Sequence, residues 1–301
     1  MTDEKTREKL YSLMGDLPDR NAEITTRLVR EEDCGSYVLE TLTLDLNGTE
    51  PVPTYFTRPK NAVAPYPVVL FSHWHGGMYF LGKNQLITPH EKGNNCSYAE
   101  AMAKKGIACL CIDHWCFGER SGRDESETYK TMLWDGKVMW GMMVFDSLRA
   151  VDYLVSRTDV DSSRIGALGM SMGSTMSMWV AALDTRIKTC VDICCLTDFD
   201  EIERSNGINE HGIYYYVPSL RKNFSMADIN ALIAPRSHLS TVGIYDGLTP
   251  IRGVDKIKKL VSEFYKKNGA EGGFTLKKYP CGHAETIEMR TDILAFIDKT
   301  L

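Results

Sequence analysis

The chain has 301 residues, of which 43% are hydrophobic and 25% are charged, and its formal net charge is −5. This composition is typical of folded globular proteins and argues against an intrinsically disordered chain. The acidic balance does not indicate nucleic acid or an anionic membrane as a partner. No apolar run approaches the length of a transmembrane helix, so we expect no membrane association.

The cysteines and the N-terminus predict a cytoplasmic protein. The chain has nine cysteines, an odd number, and Cys109 and Cys111 lie inside an apolar run that predicts a buried strand. Free thiols in a reducing compartment fit this usage better than a disulfide framework, and no CxxC motif indicates a zinc site. The first nine residues are charged and lack the apolar core of a secretion signal.

The N-terminal part of the chain predicts a helix followed by an antiparallel hairpin. Apolar residues share one face over about the first fifteen residues, and this predicted helix ends at Gly15–Pro18. Residues 37–45 alternate between apolar and polar side chains, as a half-buried strand does. Asn47 and Gly48 favour a tight turn, after which residues 52–57 predict the returning strand.

Farther along the chain, continuous apolar runs predict strands that are buried on both faces, as in a parallel sheet. The runs cover residues 67–72, 106–113, 164–170 and 239–245. Segments with helical spacing alternate with them, which predicts one doubly wound α/β domain over residues 1–301 with a helical extension over 1–18. Two stretches, roughly 74–96 and 196–235, show no clear element. Long loops at strand ends are often functional, and we expect 196–235 to form a cap.

The strongest motif is G-x-S-x-G, which covers Gly169–Gly173. It follows a predicted strand and precedes a helical run, the context in which such a motif exposes a nucleophilic serine on a strained turn. Ser171 would then project above the sheet, with the backbone N–H of Met172 facing a developing oxyanion. The structural alternative is a Gly/Ser-rich turn without chemistry. The glycine spacing fits neither a dinucleotide-binding loop nor a P-loop.

An acid and a base follow the serine in the order of a Ser–Asp–His triad. Asp246 follows a predicted strand, and His283 lies between a strand-like run and the last helix. The histidine would take the serine proton and the aspartate would orient the imidazole. The alternatives are a turn-forming aspartate and a capping or surface histidine. Asp198 and Asp200 are rival candidates for the acid.

Two loops after predicted strands offer further candidates. The backbone N–H of His75, or less directly that of Trp74, is expected to complete the oxyanion hole. A metal site at His73 and His75 is an alternative, although no carboxylate lies at short spacing. In the loop over Asp113–Arg120, Glu119 and Arg120 could brace the chain. Four aromatic side chains are candidate substrate-binding residues, with core packing as the alternative: Trp115, Tyr214, Tyr215 and Tyr216.

Several segments in this order resemble the dienelactone hydrolase and acetyl xylan esterase-like branch of the α/β-hydrolase superfamily. They are Tyr11–Pro18, His73–Gly77, Asp113–Arg120, Ala150–Leu154 and Gly169–Gly173. The resemblance implies the α/β-hydrolase fold, with a mostly parallel, eight-stranded sheet that has helices on both faces and an antiparallel N-terminal start. It also implies a triad of Ser171, Asp246 and His283 that hydrolyses carboxylic esters through an acyl-enzyme, with no cofactor and no metal.

We therefore predict a serine carboxylesterase that acts on small acyl esters, among which acetyl esters are candidates. Because the motif holds Ser171 and not a cysteine, dienelactone itself is disfavoured as the substrate. A peptidase or amidase of the prolyl-oligopeptidase kind and a non-catalytic protein that binds a small ligand are the alternatives. The predicted partner is a small-molecule ester, and the sequence is compatible with a homo-oligomer.

Overall fold

The computed structural model describes residues 3–89 and 96–301. The strands are β1 (Thr25–Asp33), β2 (Tyr37–Asp45), β3 (Val52–Pro59), β4 (Tyr66–Ser72), β5 (Ala108–Ile112), β6 (Val160–Met170), β7 (Ile187–Ile193), β8 (Ser237–Gly243) and β9 (Phe274–Tyr279). They form a sheet in the order β1-β2-β3-β5-β4-β6-β7-β8-β9. The pairs from β1 to β5 are antiparallel, and all pairs from β5 through β4 to β9 are parallel.

The helices follow the strands in chain order. They are α1 (Asp3–Ser12), α2 (Tyr98–Ala103), α3 (Glu125–Trp134), α4 (Met139–Ser156), α5 (Met172–Leu183), α6 (Phe199–Arg204), α7 (Leu220–Asn223), α8 (Met226–Ala231), α9 (Ile251–Lys267) and α10 (Ile287–Thr300). None of the helices within 3–89 and 96–301 combines the length and apolar character that crossing a bilayer requires.

The predicted burial of the central strands on both faces is confirmed in β4. Val68 and Leu70 belong to one hydrophobic cluster, together with residues of α4, α5 and α9. Val69 and Phe71 belong to a second cluster, together with residues of α2 and α10. Since successive side chains of a strand point to opposite faces, these two clusters are the two layers of helices around the sheet. The predicted doubly wound α/β architecture is therefore confirmed.

The sheet has nine strands where eight were expected. The additional strand is β1, which pairs with the outer edge of β2. Most of its side chains are exposed, including Leu28 and Val29 at 56% and 52%. An edge strand with both faces largely in solvent has no need for apolar alternation, so the pattern that revealed β2 is absent from β1.

The two stretches without a predicted element contain short helices. Residues 196–235 hold α6, α7 and α8 together with 3₁₀ turns at Ile208–Glu210 and Ile213–Tyr215. In the other stretch, Gly82–Leu86 forms a 3₁₀ helix, and residues 90–95 lie outside the described part of the chain. Helices of four to six residues are too short for a clear hydrophobic period, so their sequences read as loops.

Candidate active site

Ser171 stands at the turn between β6 and α5 with φ of 53° and ψ of −121°. Residues other than glycine seldom have positive φ, and such strain is concentrated at functional sites. A Cβ on Gly169 would overlap the backbone of Gly173, and a Cβ on Gly173 would overlap the carbonyl oxygen of Ser72 in β4. The two glycines are therefore what allows the first turn of α5 to cross so close to β6 and β4.

Ser171, His283 and Asp246 form one hydrogen-bonded chain. The Ser171 Oγ lies 2.8 Å from His283 Nε2, and His283 Nδ1 lies 2.7 Å from Asp246 Oδ2. Because the carboxylate only accepts, Nδ1 carries the ring proton and Nε2 is left to accept from the serine hydroxyl. This is the arrangement in which a histidine can remove a serine proton.

Asp246 is held as an ionised acceptor. The loop after β8 places it at 5% exposure, and the Leu248 N–H donates to its Oδ1 at 2.9 Å. Burial raises the pKa of Asp246, but the hydrogen bond from His283 and the attraction of that ring outweigh burial, so the pKa lies below its ordinary value. A carboxylate that stays charged can stabilise an imidazolium on His283.

The structure places the two rival acids away from His283. The Asp198 side chain caps α6 and pairs with Lys256 at 2.9 Å. Asp200 is half exposed and pairs with Arg221 at 2.8 Å. Both carboxylates therefore have structural partners in the segment after β7.

The three oxyanion candidates differ in the availability of their backbone N–H groups. Met172 is the first residue of α5, where an N–H has no partner within the helix. The N–H of His75 makes no hydrogen bond to the described residues. The N–H of Trp74 donates to Gln85 Oε1 at 2.8 Å. Availability therefore favours Met172 and His75.

His73 and His75 do not converge on a common ligand position. His73 uses Nδ1 toward the carbonyl of Trp74, and its Nε2 accepts from the N–H of His114. The His75 ring contacts the N–H of Gly77 and the hydroxyl of Tyr214. All four ring nitrogens thus have protein partners, which removes the support for a metal site at this motif.

Glu119 and Arg120 each brace the loop over Asp113–Arg120, but they do so through separate partners and do not pair with each other. Arg120 donates to Glu50 at 2.6 Å and to the buried Asp146 at 2.9 Å. Glu119 instead pairs with the Lys83 ammonium. Adjacent residues of a 3₁₀ turn point in different directions, so each of the two side chains finds a partner on a different element.

The four candidate substrate-binding aromatics fall in different places. Tyr214 and Tyr215 line the cavity that contains Ser171. Tyr216 faces a separate cleft beside α7, and its hydroxyl donates to the carbonyl of Ile208. Trp115 is 4% exposed and packs under the Arg120 guanidinium, 4.4 Å from its ring centroid, so the structure does not bring Trp115 to Ser171.

Two cavities meet at Ser171 and His283. The more enclosed one has a volume of about 110 Å³ and is covered by the segment after β7, including Glu210–Tyr215. The other is an open cleft of about 390 Å³, lined largely by apolar side chains of the loop after β4, such as Trp74, Met78 and Leu81. Ser171 therefore lies between a small chamber and a wider groove.

Sequence reasoning missed several residues of the enclosed cavity, among them Cys194 and His211. Cys194 follows β7 with φ of 59°, and its Sγ lies within 4.8 Å of side-chain atoms of Asp246 and His283. Burial and the Asp246 charge raise the pKa of this thiol to about 12, so it is neutral. The position of Cys194 at the end of a parallel strand was the available signal. His211 lies between two short 3₁₀ turns, where no local pattern indicates a site.

The chain is similar to known hydrolases and esterases. Residues 20–214 match the family described as acetyl xylan esterase (AXE1). The Bacillus subtilis (strain 168) protein named "Putative hydrolase YtaP" is 48% identical over 295 residues, 98% of this chain and 98% of that protein. A "putative acetyl xylan esterase" from Bacteroides fragilis NCTC 9343 superimposes with a TM-score of 0.73 at 22% identity, covering 92% of this chain and 74% of that one.

A second solved structure, the glucuronoyl esterase from Solibacter usitatus, superimposes with a TM-score of 0.71 at 16% identity. The match covers 97% of this chain and 91% of that chain. At such low identity, both superpositions show a common fold and nothing finer.

Proposed function

Because the chain belongs to the acetyl xylan esterase family and is a carboxylic-ester hydrolase, we propose that it cleaves small acyl esters through Ser171 and an acyl-enzyme. The observation that carries this proposal is the hydrogen-bonded chain from Ser171 Oγ through His283 to Asp246. A serine hydroxyl is a weak nucleophile at neutral pH and needs an adjacent base.

In the proposed first step, Ser171 Oγ attacks the ester carbonyl carbon while His283 Nε2 takes the hydroxyl proton. The negative charge moves to the carbonyl oxygen, where the N–H groups of Met172 and His75 are the candidate donors. The carbon–oxygen bond to the alcohol then breaks, and the imidazolium gives its proton to the leaving alkoxide. Asp246 stabilises the imidazolium throughout.

In the second step, a water molecule attacks the acyl-enzyme and gives a proton to His283. The tetrahedral intermediate collapses, the bond to Ser171 Oγ breaks, and the proton returns to the serine oxygen. The products are a carboxylic acid and a regenerated hydroxyl. No cofactor is needed for either step.

The size of the enclosed cavity supports a small acyl group. Both oxyanion candidates line this cavity, so we assign the acyl group to it and leave the open cleft for the larger part of the alcohol portion. A volume of about 110 Å³ admits a few carbon atoms and excludes an octanoyl chain. The acetyl group is the smallest candidate that fits.

The proposal also covers the domain organisation and the cellular location of the protein. We infer one α/β-hydrolase domain over 1–301, with the extension 1–18 packed beside it and 196–235 serving as the cap over the cavity. All nine cysteines lie among the described residues and are free thiols, which supports a reducing, cytoplasmic environment.

The test compares initial rates on p-nitrophenyl esters from acetate to octanoate for the wild type and Ser171→Ala. We expect rates that fall with chain length and a loss of at least about 10³-fold in the variant. Ser177→Ala is the matched control, because this hydroxyl lies farther along α5 and donates to the Gly173 carbonyl at 2.9 Å. Retained activity in a folded Ser171→Ala protein would contradict the proposal. An acetyl anilide, tested beside the acetate, checks whether amides are also cleaved.

A further inference from the structure

The enclosed cavity beside Ser171 presents two polar side chains whose hydrogen-bonding capacity is not used up by the protein. They are Tyr214, at 4% exposure, and His211. Buried polar atoms in proteins nearly always have a partner, so an unused donor or acceptor in a binding cavity indicates what the ligand supplies. Each side chain leaves one hydrogen-bonding group without a protein partner. On Tyr214 this group is a donor, and on His211 it is an acceptor.

For Tyr214, the open group is its hydroxyl hydrogen. The Gly77 N–H donates to His75 Nδ1 at 3.0 Å, so the neutral His75 ring must carry its proton on Nε2. That proton is donated to Tyr214 Oη at 2.9 Å. Burial lowers the pKa of His75 to about 4, which keeps the ring neutral. Tyr214 therefore accepts from His75, and its own hydrogen has no acceptor among the described residues.

For His211, the open group is a ring nitrogen. The Nε2 atom is buried and has no partner in the described part of the chain. Burial lowers the pKa of His211, opposed in part by a hydrogen bond to the backbone of Leu248. A neutral ring with its proton on Nδ1 leaves Nε2 as an acceptor. The ring stacks on Tyr215 with centroids 5.5 Å apart, which holds its orientation.

We propose that His211 and Tyr214 together recognise a free hydroxyl group on the ester substrate. The substrate hydroxyl would donate to His211 Nε2 and accept from Tyr214 Oη, so both open groups and the ligand group would be satisfied at once. An ester without this hydroxyl would bury both side chains unpaired, which makes polar recognition strongly discriminating. The inference rests on the proposed function, because it places the ester carbonyl at Ser171.

Because the cavity is small and contains Ser171, the hydroxyl must lie close to the ester group, and it can come from either end of the ester. A 2-hydroxyacyl group carries it on the acyl portion, and a partly acylated polyol carries it on the alcohol portion. The rest of the cavity lining includes the apolar Ile202 and Leu248, and its volume of about 110 Å³ leaves room for a small group only. The substrate class is therefore a small ester with a neighbouring hydroxyl.

The experiment measures kcat/KM on two matched pairs of esters, each pair differing by the hydroxyl. Ethyl lactate and ethyl propionate test the acyl portion, and glycerol 1-monoacetate and propyl acetate test the alcohol portion. Rates are divided by those of alkaline hydrolysis to remove intrinsic reactivity. We expect the wild type to prefer the hydroxylated ester of at least one pair by about tenfold or more. Tyr214→Phe and His211→Phe should each abolish that preference, and His211→Gln should restore part of it.

The matched control is Tyr129→Phe, which removes a half-buried hydroxyl that contacts the Tyr216 carbonyl at 3.4 Å and does not line the enclosed cavity. Its preference should equal that of the wild type. Thermal unfolding of each variant identifies any that fail to fold, and the two sites provide independent tests. A wild type without preference in both pairs, or a preference that survives in both Phe variants, overturns the inference. Failure of the proposed function differs from both results, because the wild type would then be inactive on p-nitrophenyl acetate too.

Discussion

The Lys83 ammonium lies 2.9 Å from the Asp113 carboxylate, and both side chains are at most 1% exposed. Lys83 belongs to the loop after β4, which carries His75, and Asp113 follows β5. The other Asp113 oxygen accepts from the backbone N–H of Lys83 at 2.6 Å. The pair therefore joins the loops after two adjacent strands, one of which carries the oxyanion candidate His75.

Replacing Lys83 by Met should destabilise the protein severely, because it leaves the Asp113 charge buried without its partner. Removing one member of a buried pair costs about 3–5 kcal/mol, and urea unfolding measures the loss. Lys104→Met is the control, since Lys104 pairs with Glu100 on the surface. The double variant with Asp113→Asn should recover part of the loss. A Lys83→Met protein as stable as the wild type would show that the Asp113 charge is not enclosed in the protein interior.

Gly173→Ala should prevent formation of the turn at Ser171. An added Cβ would overlap the backbone oxygens of Ser72 and His73, neither of which is a flexible side-chain end. We expect a loss of stability beyond the 1–3 kcal/mol that overpacking commonly costs. Gly247→Ala is the control, because its Cβ would meet nothing within 4 Å. Equal unfolding midpoints for the two variants would contradict this account of the turn.

How far the sequence predicts this fold depends on what each segment must bury. β4 and β5 are apolar along their length because both faces pack, and their existence follows from that pattern. β1 has no such requirement, so its sequence does not predict a strand. Only its pairing with β2 identifies it. The helices of 196–235 were missed for a related reason, since their burial depends on the neighbours that fold over them.

The residues of the site also differ in how far their positions could be predicted. Ser171, Asp246 and His283 follow strands, and parallel topology brings the ends of such strands together, so their proximity could be predicted. The direction in which an individual side chain points could not be predicted. Trp115 follows β5 but turns under Arg120, and Glu119 turns toward Lys83. His211 reaches the cavity only through the path of the cap, which no local pattern encodes.

Acid should destabilise the protein through its buried histidines. Burial lowers the pKa of His73 and of His75 to about 4, and that of His114 far below its ordinary value. The unfolded chain, with histidine pKa near 6.5, therefore binds more protons between about pH 6.5 and 4. Stability should be complete above pH 6.5 and should fall as the pH is lowered through this window.

Each such histidine contributes a slope of up to about 1.4 kcal/mol per pH unit. His73→Gln should reduce the slope of unfolding free energy against pH by about that amount, measured with urea between pH 7 and 5. Ser177→Ala retains all the histidines and should keep the wild-type slope. An unchanged slope in His73→Gln would mean that His73 has the same pKa in the folded protein as in the unfolded chain, which would contradict this account.

Asp246→Asn should lower kcat by about 10³–10⁴-fold with little change in KM, because the substrate does not touch this residue. The amide can donate to His283 Nδ1, which would move the ring proton to Nε2 and remove the acceptor for the Ser171 hydroxyl. The pKa of Asp246 lies below its ordinary value, so the wild-type carboxylate is charged at neutral pH. The substitution therefore replaces a charged carboxylate with a neutral amide during turnover.

Asp200→Asn is the matched control, since it neutralises a rival acid that pairs with Arg221 on the surface. Its kcat should equal that of the wild type, and the rate of labelling by a fluorophosphonate should fall only in Asp246→Asn. If Asp200→Asn lost activity and Asp246→Asn kept it, the acid of the catalytic chain would have to come from the cap, and the orientation of His283 would need a different partner.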